Sequence, residues 1–108
     1  MTFTIIVHGG AGEVSPKSLE ARKQGCRAAA EAGLVILKRG GQALDAVQAA
    51  VEVLENNPLF NAGLGSTLNR EGQVETDAAI MDGGTLKAGA LAAVRGIQLN
   101  PSQSRQPA

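Results

Sequence analysis

Residues 54–66, LENNPLFNAGLGS, separate a part of the sequence with helical periodicity from a part with strand periodicity. Proline at position 58 disfavours helix in the residue before it, so a helix should end at Asn56-Asn57. From Pro58 to Ser66 the stretch is unusually apolar for a loop and holds two glycines and one amide side chain, Asn61. If the glycine turns point its carbonyl groups inward, they can bind a monovalent cation. A packed structural loop is the alternative interpretation.

Two helices are predicted before this loop. The first starts at Ser15-Pro16 or at Ser18 and continues on an apolar stripe to Gly40-Gly41. The second runs from Gln42 to Leu54, with its apolar residues on one face and its charged residues elsewhere. Both helices are rich in alanine, which allows close packing against each other or against a sheet.

Strands are predicted on both sides of the helices. Residues 3–7, FTIIV, form a β-branched run that predicts a strand buried on both faces. After the loop, three strands are predicted from the following segments: 66–68, 74–81 and 86–94, with turns at 69–72 and 82–85. The order of strand, two helices and three strands indicates an α/β protein of the α+β kind, with helices layered on one antiparallel-rich sheet.

Composition limits the chain to one domain and excludes some partners. Its 108 residues carry ten basic and ten acidic side chains, two Phe, and no Trp or Tyr. Without net positive charge or aromatic platforms, neither nucleic acid nor a membrane is expected as a partner. The cytoplasm is the default location, and Cys26 is expected to be a small buried hydrophobe rather than a reactive thiol. Residues 102–108 lose apolar periodicity and are predicted to be a disordered tail, which leaves residues 1–101 as the folded part.

Few side chains offer chemistry of their own. His8 ends the first predicted strand and opens the glycine-rich stretch 8–12, where α/β proteins often bind ligands, although the glycines alone also suit a tight turn. The spacing fits no nucleotide-binding loop, and His8 has no Cys or His partner for a metal. Three carboxylates near the last strands are expected to be solvated or to cap turns: Glu75, Asp77 and Asp82.

Five stretches of this sequence resemble stretches that follow one another in the same order in the N-terminal part of the plant-type L-asparaginases and isoaspartyl peptidases. These proteins are a family of N-terminal-nucleophile hydrolases. The resemblance covers about residue 4 to Pro101. Several long motifs in the same register identify a family specifically, whereas a single glycine pattern does not. These stretches are IIVHGGAG at 5–12, GQALDAV at 41–47, LENNPLFNAGLGS at 54–66, ETDAAIMDG at 75–83 and KAGA at 87–90.

The resemblance implies an αββα sandwich that cleaves its own precursor and then uses a new N-terminal threonine as nucleophile. Members of the family hydrolyse L-asparagine and β-aspartyl (isoaspartyl) dipeptides and form dimers of αβ pairs. This chain is similar to the α-subunit, so the nucleophile is expected in a separate β-subunit-like segment and the chain alone is expected to be inactive. The Gly84-Thr85 pair is interpreted as a hairpin turn, not as the nucleophile.

Site residues also follow from the resemblance. Gly9 and Gly10 are expected to line the pocket, and Asn61 is expected to support the surroundings of the nucleophile. No cofactor is expected. A structural sodium ion is expected, bound by the main-chain carbonyls of the following residues: Leu54, Glu55, Asn57, Phe60, Ala62 and Leu64. The family pattern stops after Pro101, for which a truncation, a frameshifted end or a fragment are open explanations. A non-catalytic module that binds a small ligand or a partner is the alternative function.

Overall fold

The computed structural model describes residues 2–95 and confirms the α+β class. Two helices come first and an antiparallel hairpin follows, joined by a loop that contains one 3-10 turn. In chain order the elements are α1 (Pro16–Lys38), α2 (Ala43–Glu55), the 3-10 turn (Gly63–Gly65), β1 (Thr76–Met81) and β2 (Ala88–Val94). The predicted tail at 102–108 and the domain end at Pro101 lie outside the described residues. None of the helices in residues 2–95 is long and apolar enough to cross a membrane.

The two helices pack together through small residues. Ala29 is fully buried on α1, and Ala46 and Ala50 are buried on α2. A Cβ atom added to Gly33 of α1 would lie 3.0 Å from the carbonyl oxygen of Ala46. The close approach of the two helices therefore depends on the missing side chain at Gly33, as the alanine-rich sequence predicts.

The prediction of a buried strand at residues 3–7 is wrong. This segment is extended but belongs to no sheet within the described residues, and Ile6 is 89% exposed. Ile5 instead packs on α1, where its Cδ1 atom would be 2.2 Å from a Cβ at Gly33. A β-strand needs a hydrogen-bonded neighbour, and no segment of residues 2–95 pairs with this one.

The sheet of the described residues has two strands, not the three predicted. β1 pairs antiparallel with β2, with Ile80 opposite Gly89 and Met81 opposite Ala88. Residues 66–68 are not a strand, because the chain at that point leaves the 3-10 turn and enters the tight turn at 69–72. The side chain of Asn69 closes that turn by accepting the backbone N–H groups of residues 71 and 73, both at 2.9 Å.

Asp77 and Asp82 stabilise the hairpin. The Asp77 carboxylate accepts the backbone N–H of Ala93 at 2.6 Å, where the register shifts and Ala93 has a φ of 51°. Asp82 accepts the hydroxyl of Thr85 at 2.7 Å, and this bond, with the amides of Gly84 and Thr85, lowers the pKa of Asp82. The expected turn-capping role of Asp82 is thus observed, and Gly84-Thr85 lies in this turn.

Candidate functional site

A cavity of about 940 Å³ lies between three parts of the chain: the glycine-rich segment 8–12, the first turns of α1 and the loop after α2. Its volume falls within the range of small-molecule sites, roughly 300–1,000 Å³. The lining residues are His8, Gly9, Gly10, Ala11, Gly12, Glu13, Val14, Leu19, Arg22, Lys23, Cys26, Leu54, Pro58, Leu59, Phe60, Asn61, Ala62, Gly65 and Thr67.

Phe60 holds the three parts together. Its side chain is only 3% exposed, and its ring lies between two glycines. A Cβ atom added to Gly9 would be 2.9 Å from the ring, and one added to Gly25 of α1 would be 2.7 Å from it. Because neither position has room for a side chain, the aromatic ring brings the glycine-rich segment and α1 onto the loop that contains Asn61.

Asn61 has a fixed orientation at the cavity wall. Its Oδ1 atom accepts the backbone N–H of Thr67 at 2.9 Å and the Thr67 hydroxyl at 3.3 Å. These two hydrogen bonds use the acceptor capacity of the amide oxygen. The Nδ2 group keeps its two N–H donors for a ligand, since the described residues offer it no acceptor.

His8 faces its own loop. Its Nδ1 atom accepts the backbone N–H of Gly10 at 3.1 Å, and Gly10 has a φ of 118°, which is accessible mainly to glycine. Within residues 2–95 there is no cluster of His, Cys, Asp or Glu that could hold a metal ion. Among the described residues, Thr67 has the one hydroxyl on the cavity wall; it donates to Asn61, and none of these residues places a base beside it.

The loop after α2 turns several carbonyl oxygens toward its two glycines. A Cβ atom at Gly63 would be 2.4 Å from the carbonyl oxygen of Glu55. One at Gly65 would be 2.0 Å from that of Phe60 and 2.5 Å from that of Pro58. Carbonyl oxygens therefore pack against both glycines, where a side chain would collide with them. Carbonyl oxygens are also the type of ligand that hard cations prefer. Four of the carbonyls predicted to bind sodium each accept one loop amide: Leu54, Asn57, Phe60 and Ala62.

The side chain of Glu55 is buried beside this loop. It is 5% exposed, and its Oε2 atom has no hydrogen-bond partner among the described residues. Burial, with the nearby Glu52 carboxylate as a second cause, raises the pKa of Glu55 to about 7. This burial could not be predicted from the sequence, because a glutamate at the end of an amphipathic helix usually faces water.

Three side chains of α1 reach the cavity although the sequence did not place them there: Arg22, Lys23 and Cys26. Arg22 and Lys23 line the cavity, and of the carboxylates in residues 2–95 only that of Glu13 does so. Cys26 also reaches the wall and is half-buried, so it is less buried than expected. Nothing in the sequence distinguishes these residues from the solvated side of a helix.

The structure brings most of the predicted site residues to one place. Gly9, Gly10 and Asn61 line the same cavity. Of the residues predicted to bind sodium through their carbonyls, Leu54, Phe60 and Ala62 also line it. Glu75 and Asp77 lie elsewhere, in the hairpin, where Glu75 pairs with Arg95. Their roles in the described residues are structural.

Comparison with known proteins agrees with this arrangement. A family model described as Asparaginase matches residues 1–105. An isoaspartyl peptidase/L-asparaginase of Danio rerio is 52% identical over 103 residues, which are 95% of this chain and 33% of that protein. The human protein of the same name is 53% identical over 98 residues, covering 90% of this chain and 32% of its own length.

A plant-type L-asparaginase of Pyrococcus abyssi is 55% identical over 102 residues, which are 90% of this chain and 32% of that protein. The chain therefore spans about a third of the length of the curated relatives it matches. Since the match includes every residue of the cavity and both helices, the chain belongs to the asparaginase family.

Proposed function

We propose that this chain supplies one wall of the active site of an amidohydrolase that cleaves L-asparagine, β-aspartyl dipeptides or both. The family match covers residues 1–105, a range that contains all residues that line the cavity, and this overlap supports the proposal most strongly. The relatives are named for these two activities. Amide hydrolysis needs a nucleophile, a base and donors for the developing oxyanion.

The chain provides the donors and the walls, and the nucleophile comes from another segment. The Nδ2 group of Asn61 and the amides of the glycine-rich segment are neutral donors that can orient a nucleophile or an oxyanion. The described cavity residues offer no hydroxyl or thiol paired with a base. A threonine nucleophile in a β-subunit-like segment, as the resemblance implies, completes the site, so the chain by itself is inactive. Dimers of such αβ pairs are part of the same proposal.

The exposed apolar surface supports such a partner segment. The structure measures 45 × 38 × 18 Å, so it is thin, and both the hairpin and the N-terminal segment expose large apolar side chains. Exposed large apolar side chains in this number are typical of a surface that a partner covers. The exposed residues include Ile6 (89%), Leu64 (70%), Leu68 (66%), Met81 (55%) and Leu86 (70%).

A structural sodium ion is part of the proposal. The carbonyl oxygens that face Gly63 and Gly65 suit an ion with oxygen ligands, and so does the Oε2 atom of Glu55, for which the described residues provide no hydrogen-bond partner. The ion would fix the loop that holds Asn61. Thermal unfolding of the complete assembly in sodium should have a higher midpoint than in a large organic cation. Equal midpoints would contradict the sodium proposal.

The activity is tested with a chimera in which residues 4–101 of this chain replace the matching segment of the Pyrococcus abyssi relative. We expect release of ammonia from L-asparagine or of free amino acid from β-aspartyl dipeptides, and no release by the 108-residue chain alone. Asn61→Ala should lower kcat by about 10²-fold, because a misplaced nucleophile loses its orientation. Asn69→Ala, in an exposed turn, is the matched control and should change little.

A folded chimera that hydrolyses neither substrate would contradict the proposed activity and favour the alternative, a non-catalytic module that binds a small ligand. Asparagine and dipeptide assays in parallel also decide which substrate is preferred. A cytoplasmic location stays a prediction of the sequence.

A further inference from the structure

The cavity wall formed by α1 is cationic, while the opposite wall is neutral. Leu19, Arg22, Lys23 and Cys26 are spaced three, four and seven residues apart, so they share one face of the helix. Arg22 and Lys23 carry positive charge, and Glu13 is the one carboxylate that the described residues place on the wall. On the other side are the amide of Asn61 and the hydroxyl of Thr67.

Within the described part of the chain, Arg22 and Lys23 form no ion pair. Both ion pairs within residues 2–95 belong to Arg95, so neither Arg22 nor Lys23 is neutralised there. Arg22 is half-buried, and its Nε atom donates to the hydroxyl of Ser18 at 3.4 Å, one helical turn earlier. That bond uses one of its five N–H donors and leaves the fork of the guanidinium group for a planar anion.

We propose that Arg22 and Lys23 bind the carboxylate of the leaving amino acid when the substrate is a β-aspartyl dipeptide. The inference rests on the proposed function, because it assigns a subsite of the same cavity. L-Asparagine and a β-aspartyl dipeptide share the α-amino and α-carboxylate groups. Only the dipeptide carries a second carboxylate, on the far side of the amide bond that is cleaved.

The volume and lining of the cavity favour the larger of the two substrates, the β-aspartyl dipeptide. At about 940 Å³ it lies at the upper end of the range for small-molecule sites and has room for two amino-acid residues. Its apolar lining at Leu19 and Leu59 suits the side chain of an apolar leaving residue. A carboxylate next to such a surface binds a guanidinium group more strongly than it does in bulk water, because the surroundings are less polar.

The test compares three ligands in the chimera: β-aspartyl-leucine, the same dipeptide with a C-terminal carboxamide, and L-asparagine. Arg22→Gln should raise KM for β-aspartyl-leucine about tenfold, and Lys23→Gln, at a more exposed position, about threefold. Both variants should leave KM for L-asparagine and for the carboxamide nearly unchanged. Lys17→Gln and Arg27→Gln remove cations of the same helix that do not line the cavity, and they serve as matched controls.

Other outcomes would overturn the inference. An equal rise of KM for all three ligands would show that the cations act on the shared α-carboxylate or on the fold, and no rise would show that they bind nothing. Calorimetric binding of the two dipeptides to the unmutated chimera separates this inference from the proposed activity. Tighter binding of the carboxylate form without hydrolysis would contradict the activity and retain the subsite, whereas equal binding, or none, would reject the subsite.

Discussion

The helical region, residues 16–65, and the hairpin region, residues 76–95, are stabilised in different ways. The helical region buries side chains: Ala29, Ala46 and Phe60 are at most 3% exposed. The hairpin region has none of the buried core residues of the described chain, and Met81 is 55% exposed. It is held by its backbone ladder and by side chains such as Asp77 and Asp82. Close packing of small side chains and one aromatic ring thus stabilises the first region, whereas hydrogen bonds at its surface stabilise the second.

The largest expected effect is the loss of the aromatic ring that joins the helical region to the glycine-rich segment. Phe60→Ala should lower the free energy of unfolding by about 3 kcal/mol, because a buried aromatic side chain leaves a cavity. Denaturant unfolding followed by the helical circular dichroism signal measures this. Leu64→Ala, in the same loop but 70% exposed, should cost less than about 0.5 kcal/mol. Equal costs would mean that Phe60 is not an anchor.

The second effect concerns the contact between the helices. Gly33→Val inserts methyl groups toward the Ala46 carbonyl and Ile5, and it should cost about 2 kcal/mol. Ala28→Val introduces the same β-branched residue at an exposed position of α1, and it should cost about 0.5 kcal/mol. If both variants unfold at the same denaturant concentration, the close approach of α1 and α2 does not limit the stability of the helical region.

A third test uses pH. The pKa of Glu55 is raised to about 7 in the folded state, so its neutral form is favoured by folding. Stability should be greatest below the ordinary pKa of the carboxyl group, fall as pH rises from about 4.5 to 7, and then level off. A shift of this size corresponds to at most about 3 kcal/mol, and relaxation around the carboxyl group reduces the expected loss to about 1–2 kcal/mol.

Glu55→Gln should remove this decline, and Glu31→Gln, at an exposed position of α1, should preserve it. Unfolding between pH 5 and 8 in a buffer whose cation is large and organic measures both without contribution from sodium. If stability still falls with rising pH in Glu55→Gln, another titrating group causes the fall.

The smallest effect is expected in the hairpin region. Hydrogen bonds lower the pKa of Asp82, so its stabilising contribution is present above its ordinary pKa and is lost as pH falls through the lowered value. Asp82→Ala should speed amide hydrogen exchange at Thr85 and Lys87, while Asp82→Asn, which retains an acceptor, should do so less. The unfolding midpoint of the helices should not move. A lower midpoint would mean that the two regions unfold together.

The sequence alone determined the two helices, the turns at 69–72 and 82–85, and the family. Apolar spacing placed α1 within about two residues of its bounds and α2 within one, because a helix is specified by local periodicity and by local stop signals such as Gly40-Gly41. Local side-chain bonding likewise made the turns at Asn69 and Asp82 predictable. The stretches IIVHGGAG and NAGLGS marked the segments that later proved to line the cavity.

Strand pairing, the burial of Glu55 and the assembly of the cavity wall depend on residues far apart in the sequence, so they are seen only in the tertiary structure. Residues 3–7 have the composition of a buried strand, yet strand formation requires a partner that residues 2–95 do not provide. The burial of Glu55, and the placement of Arg22 and Lys23 on the cavity wall, arise from how α1 and the loop at Phe60 pack together. Sequence fixes such local patterns because they need few residues, whereas a site assembled from three separate segments is defined only once those segments meet.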